Sequence, residues 1–143
     1  MMHIPQIIRF ADYLKDGCTE SVRTVLYHDR HDNMVLWQIP PGGTLPAHRH
    51  PHGTDIWIVL QGEAELIDDE NSGRTIGAGE SVIVGQQQIH GVRNRADAAQ
   101  DCILVSVISP RAGFEAAPSL FGADRGLEER RHWHTSCWER RLW

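Results

Sequence analysis

The stretch HRHPHGTD, His48 to Asp55, places three histidines, His48, His50 and His52, within five positions and follows them with an aspartate. Neutral imidazole is the commonest side-chain metal ligand, and a carboxylate supplies charge that offsets a divalent ion. On an extended chain His48 and His50 point to one face, because strand side chains alternate with a period of two. Pro51, His52 and Gly53 read as a turn, so Asp55 sits at the opening of the next strand, whose same face carries Trp57, Val59 and Gln61. Two imidazoles on one strand and a carboxylate on its hairpin neighbour can converge on one point. A further ligand must come from elsewhere, and His90, which follows a Gly-Gln loop and leads another strand, is the candidate. Three imidazoles with a carboxylate suit Fe, Zn, Ni, Co or Mn, whereas Ca and Mg prefer all-oxygen shells. Three or four protein ligands also leave coordination positions open to water or substrate.

The elements that must hold these residues are short. Val22–Tyr27, Met34–Ile39, Thr54–Leu60, Glu63–Ile67, Arg74–Ile76, Ser81–Val84, His90–Arg95 and Cys102–Ser109 read as strands, separated by glycine, proline and acidic turns. About eight short strands at regular spacing predict an all-β sandwich or barrel. Helix is expected only at the ends, as a turn or two over Phe10–Lys15 and as a surface helix over Asp124–Arg141. The 143 residues suffice for one domain, 1–143, with a barrel core over about 20–110 and a tail over 111–143.

Composition narrows the partners. A net charge of −5 argues against a nucleic-acid footprint. No apolar run approaches the ~18 residues needed to span a membrane, and MMHIPQIIRF lacks the pattern of a signal peptide. Cys18, Cys102 and Cys137 are odd in number and far apart, forming neither a Cys-x-x-Cys pair nor a disulfide framework, and Cys102 reads as a buried apolar group. A cytoplasmic protein is expected.

With these residues in place, the chain resembles the cupin superfamily, which carries two glycine-histidine motifs. The first reads G-x5-H-x-H-x3,4-E-x6-G, and Gly42, His48, His50, Asp55 and Gly62 match every spacing, with aspartate where glutamate is usual. The second reads G-x5-P-x-G-x2-H-x3-N, and Gly79, Gly85, Gln87, His90 and Asn94 keep its frame, with Gly85 at the usual proline and Gln87 at the usual glycine. The resemblance implies a small jelly-roll β-barrel with a metal inside near one end. It carries ligand roles over to His48, His50 and His90, and to Asp55 at the departing position.

Asp55, one methylene shorter than glutamate, either ligates directly, ligates through water or is a polar residue at the barrel mouth. His52 reads as a solvated loop residue, with replacement of Asp55 or acid/base work above the metal as its other readings. Trp57 is expected to wall a pocket over a planar or apolar substrate, a role compatible with simple core packing, with Val59 and Gln61 on the same face. Gln86, Gln87 and Gln88 read as a polar loop. In the tail, His132 and His134 diverge by ~200° on a helix and cannot share an ion there, and Trp133, Trp138 and Trp143 read as packing residues.

The function expected is that of a small metalloenzyme acting on a molecule that chelates the metal through oxygen, with oxygen-dependent cleavage by Fe(II) the first chemistry to test. Isomerase and decarboxylase chemistry, and a non-catalytic binding or sensing module, are the other expectations. Ile56, Ile58 and Leu60 alternate with the inward residues of their strand, which predicts an apolar outer row covered mainly by a second subunit, as a homodimer, and in part by the N-terminal segment and the tryptophan-rich tail.

Overall fold

The structure is a computed structural model that describes residues 4–117. Among them lie ten strands: β1 (Val22–His28), β2 (Asn33–Ile39), β3 (Thr44–Arg49), β4 (Asp55–Gln61), β5 (Glu63–Asp68), β6 (Thr75–Gly77), β7 (Ser81–Val84), β8 (His90–Arg93), β9 (Cys102–Ile108) and β10 (Glu115–Ala116). The expected N-terminal helix is a single 3-10 turn, Phe10–Tyr13. The expected helix over Asp124–Arg141, and His132, His134 and the tail tryptophans, lie outside the described residues. No described helix is long and apolar enough to cross a membrane.

The strands form two five-stranded antiparallel sheets, ordered β1-β2-β9-β4-β7 and β10-β3-β8-β5-β6. The fold is therefore nearly all-β, as the strand pattern predicts, and consistent with a jelly roll. Apolar side chains from both sheets meet between them, including Val35, Trp37 and Trp57 from the first and Leu45, Leu66 and Val92 from the second. Along β4 the alternation is strict: Asp55, Trp57 and Val59 are buried, while Ile56, Ile58 and Leu60 face outward.

Two strands border the histidines: β3, expected as the extended segment that carries His48 and His50 but without bounds, and β10, which was not expected. The β3 segment, TLPAHR, has a proline and polar ends rather than a β-branched run, and β10 is too short to carry a pattern. β3 is also bulged: Leu45 pairs with Val92 and His48 with His90, so Pro46 and Ala47 together stand opposite Gly91. A bulge switches the facing parity of the residues beyond it. Leu45 packs into the core, and three residues later His48, then His50, point inward as well.

The expected hairpin between the histidine strand and the Asp55 strand does not form. β3 and β4 belong to different sheets, because the connection over residues 50–54 crosses from one to the other. Asp55 therefore meets the histidines across the interior, not along a ladder. The chain crosses back at Gly62, the single residue between β4 and β5. Its φ is 74°, and a Cβ at this corner would stand 2.6 Å from the Asp101 carbonyl oxygen, so no side chain fits there.

Asn94 closes the other end. Its buried amide donates to the carbonyls of Ile39 (3.0 Å) and Gln100 (3.1 Å), tying the end of β2 to the loop before β9. On the outer face of the first sheet, Ile8, Phe10 and Leu14 cover Leu26, Leu36, Ile103 and Val105. Ile56, Ile58, Leu60 and Ile83 continue that face and are exposed.

Candidate metal centre

His48 and His50, on and just beyond β3, His90 at the start of β8 and Asp55 at the start of β4 come together with their side chains 1–2% exposed. One donor atom from each lies within 4.8 Å of the others. The ring centroids of the three imidazoles are 4.1–5.0 Å apart.

Each imidazole is oriented by a backbone carbonyl. His48 Nδ1 lies 2.7 Å from the Pro46 oxygen, His50 Nδ1 2.7 Å from the Gly113 oxygen and His90 Nδ1 2.9 Å from the Gln88 oxygen. A carbonyl can only accept, so Nδ1 carries the proton and each Nε2 presents a lone pair. This is the outer-shell arrangement that fixes tautomer and ring direction in metal sites. His90 Nε2 is buried with no hydrogen bond, and Asp55 Oδ2 lies 3.4 Å from it and 3.5 Å from His50 Nε2. Metal–ligand bonds of ~2.1 Å put neighbouring ligands ~3.0–3.4 Å apart in octahedral or tetrahedral shells. The two Asp55–imidazole distances are close to that spacing and all four donors lie within 4.8 Å, so the group could hold one metal ion, and three imidazoles suit a transition ion better than Ca or Mg.

Both Asp55 oxygens also have donors. The Trp57 indole N–H donates to Oδ2 at 2.9 Å, and the Ser106 hydroxyl donates to Oδ1. Burial alone would push the Asp55 carboxyl up, but His50, His90 and Ser106 outweigh it and hold the group below the ordinary carboxylate range. Burial, reinforced by the His90 and His50 rings, holds His48 well below its ordinary 6.5. His48 is then neutral, as ligation requires.

That shift predicts a pH dependence. In metal-free protein the unfolded chain takes up a proton on His48 near pH 6.5 and the native state does not. The unfolded state then binds more protons, so this contribution leaves stability unaffected above ~6.5 and lowers it as pH falls below that value. Urea midpoints taken between about pH 8 and about pH 5 should decline through this window, and His48→Gln should reduce the decline.

The other residues singled out by sequence lie around this cluster. Trp57 is fully buried with its ring centroid 5.2 Å from that of His90. Val59 belongs to the apolar core, and Gln61, at the far end of β4, donates to the Asp101 carbonyl. His52 is exposed in the turn, where its backbone N–H donates to the Ala112 carbonyl. Gln87 adopts φ 64°, the left-handed conformation that the usual glycine of the second motif would take without strain, and its N–H donates to the His50 carbonyl.

Three contributors escaped the sequence reading. Ser106 is a buried hydroxyl at an inward position of CILVSVI, an otherwise apolar strand, and that lone polar residue was the available signal. Gly113 orients His50 by its carbonyl, and Phe114 stacks on His48 with centroids 5.2 Å apart. Neither has a sequence signature, because only the pairing of β10 with β3 brings them there.

Comparison with known proteins agrees with this architecture. Residues 35–108 match the cupin domain, and residues 113–139 match a second description, Rv1322 family protein. Oxalate oxidase 1 of Hordeum vulgare is 33% identical over 92 residues, which cover 59% of this chain and 45% of that protein. The chain thus spans under half the length of the curated relatives it matches. An uncharacterized conserved protein with a double-stranded β-helix domain from Klebsiella pneumoniae superposes with a TM-score of 0.72 at 32% identity, covering 80% of this chain and 98% of that one. A solved oxalate oxidase structure superposes with a TM-score of 0.58 at 25% identity, covering 78% of this chain and 65% of that one. With more than half of its length matched and both motifs folded around one buried cluster, the chain belongs to the cupin family.

Proposed function

We propose that His48, His50, Asp55 and His90 hold one divalent transition metal, and that the protein is a metalloenzyme acting on a small acid that chelates this metal through oxygen. The observation that carries the reading is the set of three carbonyl-locked imidazoles gathered within 4.8 Å of one buried carboxylate, with the Nε2 atoms of His50 and His90 3.5 and 3.4 Å from its Oδ2. When bound, a divalent ion supplies Lewis acidity and exchangeable coordination positions. The chain supplies the rest. Three neutral imidazoles and one carboxylate leave a divalent centre with a net positive charge, which favours an anionic ligand. Burial strengthens that attraction by lowering the local dielectric.

Oxygen-dependent oxidation of a small carboxylic acid is the first chemistry, supported by the resemblance to proteins named oxalate oxidase. The same reading takes the chain as a homodimer, for which the exposed row Ile56, Ile58, Leu60 and Ile83 offers an apolar contact. A reducing, cytoplasmic setting is in keeping with the free thiols of Cys18 and Cys102.

The test uses protein loaded without oxygen with Fe(II) or Mn(II). The Fe(II) form should bind nitric oxide with a new charge-transfer band, and oxalate or a 2-hydroxy acid should perturb it. Admitting oxygen in the presence of one such acid should give oxygen consumption above that of metal or protein alone. If the Fe(II) form takes up neither nitric oxide nor any acid, the oxygenase reading fails. Binding of acids without turnover in any metal form replaces it with a binding module.

A further inference from the structure

Asp55 stands where a glutamate is usual, and its shorter side chain leaves its direction to be set by neighbours. Two neighbours set it. Trp57, two residues along β4 and so on the same face, donates its indole N–H to Oδ2 at 2.9 Å. Ser106 stands opposite Trp57 in the β4–β9 pairing and donates its hydroxyl to Oδ1. Both donors are buried. The oxygen that accepts from the indole is also the one lying 3.5 Å from His50 Nε2 and 3.4 Å from His90 Nε2.

We propose that Trp57 and Ser106 are positioning residues that clamp the Asp55 carboxylate, so that it serves the metal through Oδ2 alone. With Ser106 on Oδ1 and Trp57 on one side of Oδ2, the lone pair of Oδ2 facing the imidazoles is the one presented to an ion. Rotation to a two-oxygen grip would break both hydrogen bonds within a buried site, where an abandoned donor is costly. A single-oxygen aspartate beside three imidazoles leaves two positions of a six-coordinate ion, enough for a bidentate acid. A two-oxygen aspartate would leave one. Trp57 is thus assigned to the carboxylate and not to substrate.

This inference rests on the metal-binding reading, and the test separates the two. Zn(II) affinity by chelator competition and the visible spectrum of the Co(II) form are measured for the parent, Asp55→Ala, Trp57→Phe, Ser106→Ala and the pairs Asp55→Ala/Trp57→Phe and Asp55→Ala/Ser106→Ala. Trp57→Phe keeps an aromatic ring in the core but removes the donor, and unfolding of each metal-free variant reports whether it folds. Trp57→Phe and Ser106→Ala should each weaken Zn(II) binding about 10-fold, within the range for outer-shell partners, and should shift the Co(II) bands. Because both act through Asp55, neither should weaken binding further once Asp55 is alanine.

Additive losses in the pairs overturn the proposal, since Trp57 would then act by packing on His90, whose ring it also meets. Affinities of Trp57→Phe and Ser106→Ala within twofold of the parent also overturn it and leave the metal reading standing. If Trp57→Phe fails to fold, the Ser106→Ala pair decides by itself. A parent that binds neither Zn(II) nor Co(II) overturns the metal reading and this inference together.

Discussion

Protein with His90→Ala is expected to lose most of its metal under conditions in which the parent holds close to one divalent ion per chain. His90 is the one imidazole that the second sequence motif contributes, and its Nε2 faces Asp55 from β8. Removing it deletes a ligand and leaves a buried cavity at the centre of the site. The loss in affinity should therefore exceed the ~10–100-fold typical of an outer-shell partner. His50→Ala should behave alike and also strip the Gly113 carbonyl of its donor. Asp55→Ala keeps all three nitrogens and should cost less than either. Elemental analysis after dialysis, followed by chelator competition, measures the order. Full occupancy in both histidine variants would remove the site.

Gly91→Ala, like Gly62→Ala, should rank among the most damaging single methyl additions for stability. Gly91 lies within β8, opposite the β3 bulge, and a Cβ there would stand 2.6 Å from the Leu45 carbonyl oxygen and 3.1 Å from the Ala47 amide nitrogen. Both contacts are backbone, so no side chain can turn aside. Overpacking of this kind costs about 1–3 kcal/mol, and the upper end applies because the flanking strands hold β8 on both sides. The same push displaces β3 between Leu45 and His48, so metal affinity should fall with stability. Denaturant unfolding with and without Zn(II) separates the two effects. A variant as stable as the parent would mean that the bulge absorbs a side chain at no cost.

The candidate ligands were legible because they are written in residue type. Three histidines and an aspartate at motif spacing are informative without any geometry, and strand parity put His48 and His50 on one face. Parity was also right for β4, where Asp55, Trp57 and Val59 point inward. What the spacing could not carry was the assignment of strands to sheets. A short connection such as residues 50–54 fits a hairpin as well as a crossing between sheets, and only the later partners of β3 and β4 decide. The bulge in β3 was hidden for a similar reason, since its cause is the close backbone approach at Gly91, far downstream in the chain. The inward position of Trp57 was legible from its parity with Asp55, whereas its hydrogen bond to that carboxylate was not. Gln87 shows the reverse case: the motif asks for glycine, and the backbone takes the glycine conformation regardless.

The strand order has a consequence for how the molecule comes into being. β3, which bears His48 and precedes His50, lies between β10 and β8, and β4, which bears Asp55, lies between β9 and β7. Neither ligand strand has a hydrogen-bonded neighbour that comes before it in the chain. During synthesis His48, His50 and Asp55 emerge early but have nothing to pair with until β7, β8 and β9 follow, and His50 waits for Gly113. Pairings this distant in sequence form slowly, because loop closure precedes the contacts that reward it. The candidate metal cluster is therefore a late product of folding, assembled after the sheets that carry it.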